Sequence, residues 1–309
     1  MTRRRLLHLT DEERRTLAFP GIVAFSIFGI VLLGVITGLT HPIDLYFRDL
    51  YHSYNKWLLV IESPGQRRFV YPTAIILGTI VSWRRKDLLP VIVTVSALIF
   101  TNAVTGVIKL IVARGYPRTA GPEAFNYAAF QGDGSLMSYA HYVWQLGAFP
   151  SGHAANVAAA STLMVLAAYS AREKHRMWAT PITVFTSIIC IVTIVCSWLR
   201  NTHWVTDLIA GLALGISTTI ATTLWALHLP QEWRHPDLAG KSRLIIFGTT
   251  VGLFTLVFAF ASSSILSHSV TSILLVAGTL VVIARQSRKT VQLNNCLLYT
   301  SDAADDTPC

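Results

Sequence analysis

Charge is scarce in this sequence. Only 13% of its 309 residues are Asp, Glu, Lys or Arg, and the acidic ones number just 16, whereas an ordinary soluble domain carries about a quarter charged residues. A water-surrounded globular domain is therefore excluded, and 52% hydrophobic residues with a mean hydropathy of +0.51 agree. Cysteine is nearly as rare. Cys190 and Cys196 share one apolar run and Cys296 and Cys309 lie near the end, without ligand-type spacing, so neither a zinc site nor a structural disulfide is expected. Carboxylates are almost missing from the apolar runs, Asp207 at the end of one excepted, which argues against ion-coupled transport. No small-residue cleavage site follows the first run, so no secretory signal peptide is expected and that run stays as an anchor. The net charge of +9 comes without a basic stripe interleaved with aromatics, which leaves no nucleic-acid partner.

What the chain has in abundance is apolar runs long enough to cross about 30 Å of hydrocarbon. They fall at 17–39, 67–83, 88–112, 153–169, 178–198, 204–227, 244–261 and 269–283. The class is all-α: a polytopic membrane helical bundle with about eight transmembrane helices. The second run is the weakest, because its uncharged core is short and Arg67 and Arg68 must extend towards the interface.

Lys and Arg placement orients such a bundle, since cytoplasmic loops carry the positive excess. Five arginines precede the first run, and basic triplets separate the second from the third, the fourth from the fifth and the sixth from the seventh. A last triplet follows the eighth, so seventeen of the 25 basic residues fall on one side. That side is expected to be cytoplasmic, with both termini, in a membrane of the bacterial inner (plasma) type. Lys109, Arg114, Arg118 and Arg200 fall at the opposite, extracytoplasmic end.

Four segments follow: 1–87, an N-terminal tail, two spans and an outer interfacial helix; 88–227, a core carrying the motifs; 228–291, two additional spans; and 292–309, a tail of abruptly different character, expected to be non-native or disordered and set aside. The interfacial helix is expected within 43–59, where apolar and aromatic residues recur at helical spacing with charges between. Either an amphipathic connector or a lining of the substrate entrance satisfies that pattern. The stretch 113–149 is long for a connection without structure of its own.

The chemistry-bearing residues cluster at the outer ends of the core runs. Pro150-Ser151-Gly152-His153 opens one run. Ser151 is a good N-cap, Gly152 lets a ligand approach the backbone, and unpaired amides at a helix start favour an anion. His153 beside that anion suits a general acid, although a Ser-Gly cap with an incidental His gives the same letters. His203 and Asp207 are four apart and on a helix share a face, so the carboxylate can orient the imidazole as a nucleophile; an interfacial His with a dipole-favoured Asp is the plainer account. Lys109, alone, reads as a snorkelling residue. With Arg114, Arg118 and Arg200 nearby it reads as part of a cationic cradle for phosphoryl oxygens.

In this order the segments resemble the type 2 phosphatidic acid phosphatase superfamily, relatives of the vanadium haloperoxidases, over roughly residues 88–227. The signature has three parts: Lys, six residues and Arg-Pro; Pro-Ser-Gly-His; and Ser-Arg, five residues, His, three residues and Asp. The second is intact at Pro150 to His153, the third keeps His203 and Asp207, and the first keeps Lys109 and Pro117. Tyr116 stands where the first part has Arg, and Cys196-Ser197 where the third has Ser-Arg. The resemblance implies a six-helix core and a membrane lipid phosphate or diphosphate phosphatase that needs no metal or cofactor. His203 is then the nucleophile forming a phosphohistidine, Asp207 its orienting partner and His153 the general acid. Lys109, Ser151 and Gly152 bind phosphate, and Arg114, Arg118 or Arg200 takes the place of the missing arginines. Two other functions fit the same residues: a lipid phosphotransferase using the same intermediate, and an inactive protein binding phospholipid headgroups. Phosphatidic acid, phosphatidylglycerol phosphate, a polyprenyl diphosphate and a lipid A phosphate all present the same group to such a site. Partners are therefore a phosphorylated lipid and the bilayer.

Overall fold

A computed structural model describes residues 11–50, 56–62, 66–85, 87–117, 147–169 and 177–229. The chain divides into two compact units, Met1–Ser269 and Val270–Cys309, and all of these residues lie in the first. They form helices with no strand among the described residues: α1 Asp11–Ile36, α2 His41–Leu50, α3 Lys56–Glu62, α4 Arg67–Arg85, α5 Leu89–Val112, α6 Gly152–Tyr169, α7 Ala179–Leu199 and α8 Val205–Ala226.

Six of the predicted runs coincide with α1 and α4 to α8. Of these, α1, α5, α7 and α8 are long and apolar enough to cross a membrane, and α4 holds only a shorter apolar stretch, Phe69–Ser82. α6 is diluted by His153, Asn156, Ser161 and Thr162. Its residues 154–159 are buried in the bundle, where close packing matters more than partition into lipid. The last two predicted runs, 244–261 and 269–283, and the tail 292–309 lie outside the described residues.

α8 is the central helix, packed against α1, α5 and α6. Helices in a membrane associate through small residues and interhelical hydrogen bonds, because lipid is as apolar as leucine. Each contact here uses one or the other. Against α6, a Cβ placed on Gly211 or Gly215 would sit 2.9 Å from the Cβ of Ala154 or Ala158, too close to tolerate. Against α1, Gly21 receives Ile220, and against α5 the hydroxyls of Thr101 and Thr218 meet at 2.6 Å. α4 is fastened to α6 by the Tyr71 hydroxyl, which donates to Asn156 Oδ1 at 2.9 Å.

The predicted interfacial segment contains two helices, α2 and α3. Ile43, Tyr46 and Leu50 on α2 are exposed, as an interface-seated face requires, but Asp44 is turned inward and 1% exposed. The one carboxylate of that first turn is thus in the protein and not in water.

Candidate active site at one end of the bundle

Two chain reversals bring the motifs together. At the start of α6, Phe149 is fully buried and stacks on Phe28 with centroids 6.4 Å apart. Ser151 Oγ accepts the Ala154 amide at 3.4 Å, making the N-cap that the sequence predicts, while its own N–H donates to the Asp207 carbonyl at 2.9 Å. The beginnings of α6 and α8 are therefore bonded to each other. Gly152 faces open space: a Cβ there would meet no atom within 4 Å.

The second reversal joins α7 to α8. Asn201 takes a left-handed φ of 54°, which Asn tolerates better than most residues, and Trp204 is the extended N-cap of α8. His203 therefore precedes the helix, where the sequence reading put it on one helical face with Asp207. The pairing survives by another route. Asp207 Oδ2 accepts the Trp204 amide at 3.1 Å, as an N3 acid does in a capping box, and that pins it 3.6 Å from His203 Nδ1. This separation is longer than a hydrogen bond, and such contacts are often loose before substrate binds. With Nδ1 towards Asp207, Nε2 is on the side of the ring away from that carboxylate. The half-buried His153 ring lies 6.1 Å from that of His203, inclined by 67°.

Arg114 follows α5 directly. Ala113 ends that helix with a left-handed φ of 45°, and the turn carries the Arg114 side chain, 1% exposed, into the bundle. Its Nη1 donates to Asp207 Oδ1 at 2.7 Å and to Thr206 Oγ1 at 2.8 Å, and its Nη2 donates to Asp44 Oδ2 at 2.6 Å. The guanidinium also lies 5.2 Å from the Trp204 ring centroid, within cation–π range. Asp44 in addition accepts the Thr206 amide at 3.1 Å and the Thr206 hydroxyl at 2.7 Å. Burial pushes the Asp44 carboxyl above its ordinary range, against the pull of Arg114 and Thr206. Burial opposes the charge on Arg114, but Asp207 and Asp44 outweigh it and hold that group above its usual value.

The remaining cations are placed unequally. Lys109, in the last turn of α5, donates to the Gly147 carbonyl, which also accepts the Tyr116 hydroxyl at 3.0 Å. Tyr116, at the position where the motif has Arg, packs its ring edge-on to His203 at 5.7 Å. At the other substituted position, Ser197 donates to Glu62 Oε1 on α3, and Arg200 donates to Oε2 of the same buried carboxylate. Arg118 lies outside the described residues.

The structure thus gathers His153, Ser151, Gly152, His203, Asp207 and Arg114 at one end of the bundle, with Lys109 linked to them through Gly147 and Tyr116. Sequence reasoning missed Asp44, Glu62 and Thr206. The signal available was rarity: Asp44 and Glu62 are among only 16 acidic residues in the chain.

Residues 90–230 match the model of the PAP2 superfamily. A solved structure of similar fold is the transmembrane PAP2 type phosphatidylglycerolphosphate phosphatase from Bacillus subtilis, at a TM-score of 0.50 and 19% identity, covering 66% of this chain and 94% of that one. No curated protein matches the chain.

Proposed function

Residues 90–230 of this chain belong to the PAP2 superfamily, and from that premise we propose that it is a membrane lipid phosphate or diphosphate phosphatase acting through a phosphohistidine at His203. One observation carries the reading most. Two histidines from separate reversals face each other 6.1 Å apart, and one is backed by a fully buried carboxylate. That is the arrangement of an oriented nucleophile opposite a proton donor.

In this mechanism the lone pair of His203 Nε2 attacks phosphorus and the bond from phosphorus to the leaving oxygen breaks. His153 gives its proton to that oxygen. Water then attacks the phosphohistidine, His153 takes a proton from it, the nitrogen–phosphorus bond breaks and inorganic phosphate leaves. Asp207 holds Nδ1 and balances the charge the ring acquires, as the carboxylate does in hydrolase triads. No step calls for a metal.

Lys109, the Ser151 hydroxyl, the Gly152 amide and Arg200 hold the phosphoryl oxygens in this reading, with Arg118 a further candidate. The open approach to Gly152 suits an anion at the start of α6. Arg114 has another part, because carrying its guanidinium to phosphate would strip Asp44 and Asp207 of their shared counter-ion. The excess of Lys and Arg at the opposite end of the spans supports an extracytoplasmic face for the site.

The test is release of inorganic phosphate from a panel of lipid phosphates and diphosphates, with chelator present, by the wild type and by His203→Ala and Arg200→Ala. Release by the wild type that disappears in His203→Ala is expected. Loss of one phosphate contact in Arg200→Ala is expected to cost about 3 kcal/mol of transition-state stabilisation. Release that survives His203→Ala overturns the nucleophile assignment.

A further inference from the structure

Asp44 belongs to none of the sequence motifs and sits on a short helix outside the matched region, yet its partners Arg114 and Thr206 lie next to the site. Read across the cluster, the charges alternate. Asp44 Oδ2 meets Arg114 Nη2 at 2.6 Å, Arg114 Nη1 meets Asp207 Oδ1 at 2.7 Å, and Asp207 Oδ2 faces His203 Nδ1 at 3.6 Å. Asp44, Arg114 and Asp207 are each almost wholly excluded from water, so the charges are weakly screened and their sum matters.

That sum depends on Asp44. Arg114 and Asp207 alone are neutral as a pair. An imidazole that becomes positive while bonded to phosphorus would then find no net negative charge behind it, and Asp207 would be drawn towards the guanidinium. With Asp44 the cluster carries one net negative charge. Thr206 fixes the geometry: its amide and hydroxyl, in the first turn of α8, hold the Asp44 carboxylate while the same hydroxyl accepts from Arg114.

We propose that Asp44 is a positioning residue for phosphoryl transfer: by taking Nη2 of Arg114 it offsets the guanidinium charge and leaves Asp207 free to face His203. This rests on the nucleophile assignment made above for His203. The competing account is that Asp44 only staples α2 to the start of α8. The two accounts diverge when the charge of Arg114 is removed as well.

Short-chain phosphatidic acid in detergent micelles is the probe, with the wild type, Asp44→Asn, the double variant Asp44→Asn/Arg114→Met, and His203→Ala. Asp44→Asn is expected to lower kcat about tenfold or more with KM within about twofold, the pattern of an interaction felt in the transition state. The double variant restores the single net negative charge and is expected to exceed Asp44→Asn in kcat. A stapling role predicts the reverse, since the double variant loses more contacts. Wild-type kcat in Asp44→Asn, an effect on KM alone, or a folded double variant slower than the single one each overturns the proposal. Where Asp44→Asn does not purify as a monodisperse protein, the double variant carries the test alone: activity supports the charge account, and a folded inactive protein overturns it. Turnover that persists in His203→Ala removes the nucleophile assignment and this inference with it. Inactive His203→Ala beside unimpaired Asp44→Asn removes only the role of Asp44.

Discussion

The contact between α6 and α8 makes Gly211 a sharper probe of the site than its distance along the chain from His153 suggests. A Cβ added at Gly211 points at the Ser151 carbonyl and comes 2.9 Å from Ala154 Cβ, where ordinary contact begins at 3.4 Å. The difference, 3.4 − 2.9, requires the start of α6 to withdraw by at least 0.5 Å. That is where His153 is carried and where the Ser151 amide bonds to the Asp207 carbonyl. Gly215 is an internal control. A Cβ there is as close to Ala158 Cβ, 2.9 Å, and abuts the Ala155 carbonyl, but one turn deeper, away from the histidines. Overpacking of this kind costs about 1–3 kcal/mol, so both Gly211→Ala and Gly215→Ala should lower the thermal midpoint in detergent by several degrees, roughly equally. Activity should separate them. A misplacement of about 1 Å costs on the order of a hundredfold in rate, so half of that at His153 should lower kcat for Gly211→Ala about tenfold, with Gly215→Ala much less affected. Equal kcat values in two equally destabilised variants would refute the claim that the α6–α8 spacing sets the distance between the histidines. Wild-type stability in both would refute the packing argument beneath it.

Two further expectations concern the carboxylates of α2 and α3. Arg200→Met leaves Glu62, 1% exposed, without its cation and should destabilise the protein by about 3 kcal/mol, the cost of an uncompensated buried charge; adding Glu62→Gln should recover much of it, and a thermal-melt double-mutant cycle measures the coupling. Burial holds Asp44 above its ordinary 3.8 with Arg114 and Asp207 facing it, so the fold favours its protonated form. That contribution to stability is complete below 3.8 and is lost as pH rises through the folded value. Relative to Asp44→Asn, the wild type should therefore melt progressively lower as pH is raised across that window, while its kcat advantage over the variant grows; a melting difference that does not change with pH contradicts the assignment of the shift to Asp44.

The parts of the site legible in the sequence are those set by local spacing. Ser151 announces a helix start because capping needs only the next three residues, and it caps α6 as read. His203 and Asp207 announce each other because they are four apart, although the turn that joins them is a capped helix start and not a helical face. The apolar runs announced α1 and α4 to α8, since length and hydropathy are local sums. What stayed hidden was every pairing made over distance. Arg114 meets Asp44 across 70 residues and Asp207 across 93, and Arg200 meets Glu62 across 138. Nothing in the neighbourhood of Arg114 distinguishes a guanidinium aimed at phosphate from one held between two carboxylates. The pattern of α2 misleads in the same way, because its charged residues Asp44, Arg48 and Asp49 are all read as the face that meets water, although Asp44 is turned inward. In a chain this poor in acids, however, a buried cation must find its counter-ion among few candidates. Burying Arg114 behind the site obliges two of them, Asp44 and Asp207, to accompany it. The scarcity of charge that first identifies the class thus also limits which carboxylates can accompany Arg114, and one of the two comes from α2.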